Sequence, residues 1–176
     1  MTPLTAPIAL HPGKLTLPEF KTDLHGSYDV WLAVDTTPKN FHKLDCLVGD
    51  HDFGNSCKNI PQTLNLSWEL IREGRVVQGA TYKAGAFAFT QGVIEANLGS
   101  VDGIPFAPQK LAVTVNEDGA DLNNANPRIV VEAKSAYWEK WIILRQLSIF
   151  WAGIWLIVAL AVAIAMIVKH RLLAKK

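Results

Sequence analysis

Leu64-Asn65-Leu66-Ser67-Trp68-Glu69-Leu70-Ile71-Arg72-Glu73-Gly74-Arg75-Val76-Val77 decides the fold class of this chain. Leu64, Leu66, Trp68 and Leu70 alternate with Asn65, Ser67 and Glu69. That is the period of a half-buried β-strand, whose successive side chains point to opposite faces. Glu73-Gly74 interrupts the run and Arg75-Val76-Val77 leads back, as in a hairpin with glycine at its turn. Trp68 is in register with the leucines and is expected in the core. The same alternation sets Tyr28, Val30, Leu32 and Val34 against Asp29, Trp31, Ala33 and Asp35. Trp31 falls on the polar side there, which makes it the candidate for an exposed aromatic contact.

Working outward, strands are predicted at 92–98, 110–116 and 128–133, with weaker patterns at 15–17 and 81–88. Gly, Pro, Asn and Asp punctuate the gaps at 102–103, 105, 108, 118–119 and 123–127. About seven short strands without long helical patterns predict a mainly β fold, an antiparallel β-sandwich of Ig-like or jelly-roll-like kind. Residues 38–48 are the exception. Phe41, Leu44 and Val48 have helical spacing, and Thr37-Pro38 reads as an N-cap followed by proline at the first helical position.

The second decisive stretch is 147–168, 22 residues with Ser148 the only polar side chain and no charge. As a helix it would rise roughly 33 Å, against about 30 Å of bilayer hydrocarbon. One C-terminal transmembrane helix is therefore expected. The organisation that follows is an irregular N-terminal segment 1–14, a β-sandwich domain 15–134, a juxtamembrane helix 135–146, the spanning helix 147–168 and a basic tail 169–176. Tyr137, Trp138 and Trp141 on one side, with Lys169 and Arg171 on the other, are expected at the membrane interfaces. Ala159 and Ala163, and Ala161 and Ala165, have small-xxx-small spacing, which allows a helix-mediated oligomer. Residues 1–20 hold Pro3, Pro7, Pro12 and Pro18 and do not read as a secretory signal.

Charge adds sidedness. All 16 acidic residues precede the apolar run with 13 of the 17 Lys and Arg, so the head carries −3 and the tail +4. A mildly acidic head gives no electrostatic case for nucleic acid. The positive-inside rule places the tail in the cytoplasm and the head in the periplasm. Cys46 and Cys57 flank a polar loop, the usual form of a local disulfide in an oxidising compartment, which supports the same side.

Signatures of nucleophilic, phosphate-binding or zinc-protease chemistry are missing, so a non-enzymatic role without a cofactor is expected. A metal reading would pair His42, Cys46, His51 and Cys57, since imidazole and thiolate suit zinc or copper. Its spacing matches no established pattern, and the disulfide reading is preferred. Asn65-Leu66-Ser67 matches a glycosylation sequon, a short pattern frequent by chance.

Leu44-Asp45-Cys46-Leu47-Val48-Gly49, with 125–131 and Tyr137-Trp138 leading into an apolar run, resembles poorly characterised bacterial envelope proteins that set a β-sandwich beside a membrane helix. The resemblance implies an outward-facing head and assigns no activity. The functional expectation is a single-pass interaction module of the bacterial inner membrane. It would bind another envelope protein, either as an immunity or inhibitor protein or as an accessory subunit of a membrane complex. The alternatives are a metal-binding or redox protein using residues 42–57, and a cytoplasmic tail-anchored adaptor.

Overall fold

The structure is a computed structural model that describes residues 2–49, 57, 60, 62–82, 87–90, 92–134, 143, 145–157 and 159–160. The chain divides into two compact units, Met1–Lys134 and Ser135–Lys176.

In chain order the first unit contains β1 (Leu4–Pro7), β2 (Gly13–Thr16), β3 (Phe20–Lys21), β4 (Gly26–Asp35), α1 (Phe41–Val48), β5 (Leu66–Arg72), β6 (Arg75–Thr81), β7 (Phe87–Thr90), β8 (Val93–Gly103), β9 (Pro108–Val115) and β10 (Arg128–Ala133). One sheet has the order β1-β10-β4-β8-β7. The other runs β2-β9-β5-β6, with β3 also paired to β9. The strand pairs are antiparallel. The head is mainly β with two antiparallel sheets, as expected of a sandwich.

The alternation read from sequence is the alternation of burial. Val30, Leu32 and Val34 of β4 and Leu66, Trp68 and Leu70 of β5 are buried, with Ile94, Ala96, Leu98, Leu111, Val113, Ile129 and Val131 from their neighbours. Trp68 joins the two sheets: its indole Nε1 donates to the Leu98 carbonyl at 2.8 Å. Leu98 is the extra residue of a bulge, since Val30 lies opposite Gly99 and Trp31 opposite Asn97. Gly99 has φ +129°, and a Cβ there would stand 3.1 Å from Trp68 Cζ2. Glycine thus supplies both the backbone conformation and the room for the indole.

The β5–β6 hairpin turns at Glu73 and Gly74, with φ 50° and 75°. Two positive φ values suit the right-handed twist of the flanking strands. α1 ends at Gly49, φ 105°, whose N–H donates to the carbonyls of Asp45 and Cys46 at 3.2 and 3.1 Å. Leu44, Leu47 and Val48 pack into the core.

Four expectations are corrected. First, the helix starts at Phe41 with Asn40 at its N-cap position, not at Pro38. Asn40 Oδ1 accepts from the Thr37 N–H and hydroxyl at 2.6 and 3.0 Å, closing a turn ahead of the helix. Second, residues 1–14 are not irregular throughout: they supply β1 and begin β2. β1 is an edge strand ending in Pro7, a position where the missing N–H of proline costs no ladder bond. Third, the strand read at 81–88 is two elements, the end of β6 and the start of β7, with 83–86 outside the described residues.

Fourth, the C-terminal transmembrane helix at 147–168 is not found. Among the described residues no helix is long and apolar enough to cross a membrane. Residues 158 and 161–168 lie outside the described residues, as do 135–142, 144 and the tail 169–176. Hydropathy identified an apolar run but did not fix the length of helix within it.

Candidate functional site: an exposed apolar corner and a cysteine cap

The corner begins where β8 leaves the sheet. Residues 104–107 connect β8 to β9, and Thr22, just after β3, bridges to Pro105. The Phe106 N–H donates to the Thr22 carbonyl at 2.8 Å, and the Thr22 hydroxyl donates to the Ile104 carbonyl at 2.9 Å. Gln109 Nε2 donates to Thr22 Oγ1 at 3.3 Å. Arg72 Nε donates to Gln109 Oε1 at 3.1 Å, while Arg72 Nη2 donates to the Asp102 carbonyl. Thr22 and Gln109 are fully buried polar groups, so the hydrogen bonds that satisfy them also determine the loop path.

This network holds Phe106 in an unusual posture. Its φ is 61°, the left-handed region, which crowds Cβ and costs a bulky residue roughly 1–2 kcal/mol. The residue is 70% exposed, and Ile104, two positions earlier, is 41% exposed. Neither burial nor favourable backbone geometry accounts for a phenylalanine here. Strain combined with exposure is the pattern of residues retained for contact with something else.

β6 is tied to the strand that leads into the corner. It closes its sheet as an edge strand, and Val76 and Val77 are exposed. Val77 is the extra residue of a second bulge, because Leu70 lies opposite Gln78 and Ile71 opposite Val76. Gln78 ties β6 to β8. Its Nε2 donates to the Ser100 carbonyl at 2.7 Å, and its Oε1 accepts from the Asp102 N–H at 3.2 Å. One side-chain amide thus imitates a strand partner for the edge of β8 that β7 leaves uncovered and ties β6 to the strand that leads into the 104–107 loop. The corner offers apolar area and open backbone, which serve association.

The second cluster is the cysteine cap. Cys46, in α1, and Cys57 form the expected disulfide, with their Cα atoms 5.4 Å apart. Tyr82 donates its hydroxyl to the Val48 carbonyl at 3.0 Å, and the N–H groups of Thr63 and Leu64 donate to the Leu47 carbonyl. His42 Nδ1 lies 4.0 Å from Cys46 Sγ, one helical turn away. Of the four residues in the metal reading, the fold brings His42, Cys46 and Cys57 together, their ligand atoms within 4.8 Å of one another. His51 lies outside the described residues.

Trp68 is buried as expected. Trp31 is half-buried, and its Nε1 is shielded from solvent without a hydrogen-bond partner among the described residues. It shares the outer face of its sheet with two perturbed carboxyls. Arg128 Nη1 donates to Asp35 at 2.6 Å and Asn126 Nδ2 donates at 3.1 Å, which together hold that carboxyl below its ordinary value. Burial raises Glu95, and the neighbouring charge of Glu132 raises it further. Asn65 of the sequon is engaged: its Nδ2 donates to Glu117 at 2.8 Å and its Oδ1 accepts from Asn116 at 3.0 Å. The interface residues Tyr137, Trp138, Trp141, Lys169 and Arg171 lie outside the described residues.

Sequence reasoning missed the corner. Its one local signal is Phe106 between Pro105 and Pro108, an aromatic residue in a stretch that otherwise reads only as turn. The residues that hold it, Thr22, Gln109 and Arg72, carry no mark in the sequence.

No protein-family model matches the chain. No curated protein matches it either. It is similar to a crystal structure of a protein from Sulfurospirillum deleyianum, at 8% identity and a TM-score of 0.56 over 76% of this chain and 98% of that one. A likeness at that identity speaks to the fold alone.

Proposed function

We propose that this protein is a non-enzymatic interaction module of the bacterial envelope, and that it binds another envelope protein through the corner formed by Phe106, Ile104 and the β6 edge. The single observation that carries the reading is Phe106, strained, exposed and fixed by a buried polar network. An aromatic anchor on a rigid loop beside an open strand is how extended segments are gripped: backbone pairing supplies affinity and the anchor supplies specificity. The partner this suits presents an extended apolar segment, as an inhibited toxin or a neighbouring subunit could. The disulfide favours the oxidising, periplasmic side. The exposed side chains of Phe150, Trp151, Trp155, Leu156 and Ile157 suit a lipid surface close by.

The test is site-specific photocrosslinking in intact bacteria, with the reactive side chain placed at position 106, at 76, or at Thr5 on β1 as a reference. The reading expects one common protein adduct from 106 and 76 and none from 5. Equal adducts from all three positions, or none from 106, overturn it. If the head is protected from protease in spheroplasts, the cytoplasmic adaptor replaces the periplasmic placement.

A further inference from the structure

We infer that the cysteine cap is a reduction-gated site for a soft metal cation of the zinc or cuprous class, held by His42, Cys46 and Cys57. This stands apart from the binding role of the Phe106 corner.

The geometry comes from the helix. His42 and Cys46 are four residues apart on α1 and so project from one face, while Cys57 reaches the same point from outside the helix. The three ligand atoms lie within 4.8 Å of one another. A tetrahedral zinc ion about 2.3 Å from each sulfur sets the sulfurs about 3.8 Å apart. Only small movements would seat a cation. One nitrogen and two sulfurs form a donor set that favours such ions over magnesium or calcium. A three-residue set also leaves a position for water or an incoming ligand.

While the disulfide is closed, both sulfurs are bonded to each other and the set is inactive. Opening it needs a dithiol reductant, which is the co-reactant of this proposal. A thiolate of the reductant attacks Cys57 Sγ, the more accessible of the two because Cys46 is buried and Cys57 half-buried. The S–S bond breaks and Cys46 leaves as a thiolate beside the His42 ring. The reductant's second thiol then displaces Cys57, so the protein gains two electrons and the reductant becomes a disulfide. The cation takes both sulfurs as thiolates, and any thiol protons pass to solvent.

The experiment titrates the full chain with Zn2+ after phosphine reduction and, in parallel, without reduction. Binding is followed by calorimetry and by the thiolate charge-transfer absorption of a Co2+ substitute. The expected result is one tight equivalent for the reduced chain, at least tenfold weaker binding for His42→Ala and for Cys57→Ser, and no comparable site in the oxidised chain. A His11→Ala control should match the wild type. Equal binding by reduced and oxidised protein, or an unchanged His42→Ala, overturns the inference. Should reduction alone unfold the head, circular dichroism decides. Refolding by Zn2+ in the wild type but not in His42→Ala supports the site, and no refolding in either refutes it.

Discussion

The cysteine cap and the Phe106 corner both lie outside the sheets, and their described residues are tied by different means. The cap is closed by a covalent bond between residues 11 apart in the chain. The corner is held by hydrogen bonds through Thr22, Gln109 and Arg72, gathered from separations of up to 87 residues. The covalent tie acts mainly on the unfolded chain, by restricting it. The polar network acts on the folded state, because each buried group it satisfies would otherwise be stranded. One device stabilises the head without specifying what lies on its surface. The other spends some stability to present one aromatic ring.

The comparison predicts separable failures. The largest effect belongs to the disulfide. Cys46→Ser with Cys57→Ser should lower the unfolding free energy by about 2–3 kcal/mol for a loop of this length, read from urea melts. Crosslinking from position 106 should be unchanged. If the adduct is lost while the head remains folded, the two regions are coupled and the contrast fails.

Gln109→Leu should cost about 1–3 kcal/mol, because the Thr22 hydroxyl and the Arg72 guanidinium each lose a partner. Here the adduct from position 106 should fall with the loop's order, the reverse of the disulfide variant. Full retention of the adduct would show that the network does not aim the ring.

The smallest effect is on pH dependence and concerns neither device. Glu95 has a folded value raised above 4.5, so the folded state holds that proton more readily. Its contribution makes stability rise as pH falls through the folded value towards 4.5. Asp35, lowered below 3.8, acts in the opposite sense: its contribution is present above 3.8 and lost as pH falls through the folded value. Glu95→Gln should therefore flatten the dependence just above pH 4.5 and leave the acid limb in place. Arg128→Ala should weaken the acid limb. Identical pH profiles for both variants would contradict the assigned causes.

The legibility of the molecule in its sequence follows the same division. β4 and β5 could be read because each buries one face, so their side chains alternate in polarity. The disulfide could be read because two cysteines flank a polar loop. β1 escaped notice because a four-residue strand ending in Pro7 gives no usable period and depends on β10 for its pairing. The apolar run 147–168 was read as a spanning helix from hydropathy alone, a measure that does not report where helix begins or ends. The corner was hidden for the deepest reason. Thr22 and Gln109 look like ordinary strand-end polar residues until the sheets place them side by side in the dry interior. The strain at Phe106 is a property of that assembled setting.

The central claim is that the fold gives up stability to hold Phe106 outward, and denaturant unfolding of Phe106→Gly tests it most directly. Glycine removes the left-handed strain at the cost of a more flexible unfolded chain. The account predicts that stability is kept or rises by up to about 1 kcal/mol. A loss of about 2 kcal/mol or more, as expected when a phenylalanine that packs the fold is deleted, would contradict it.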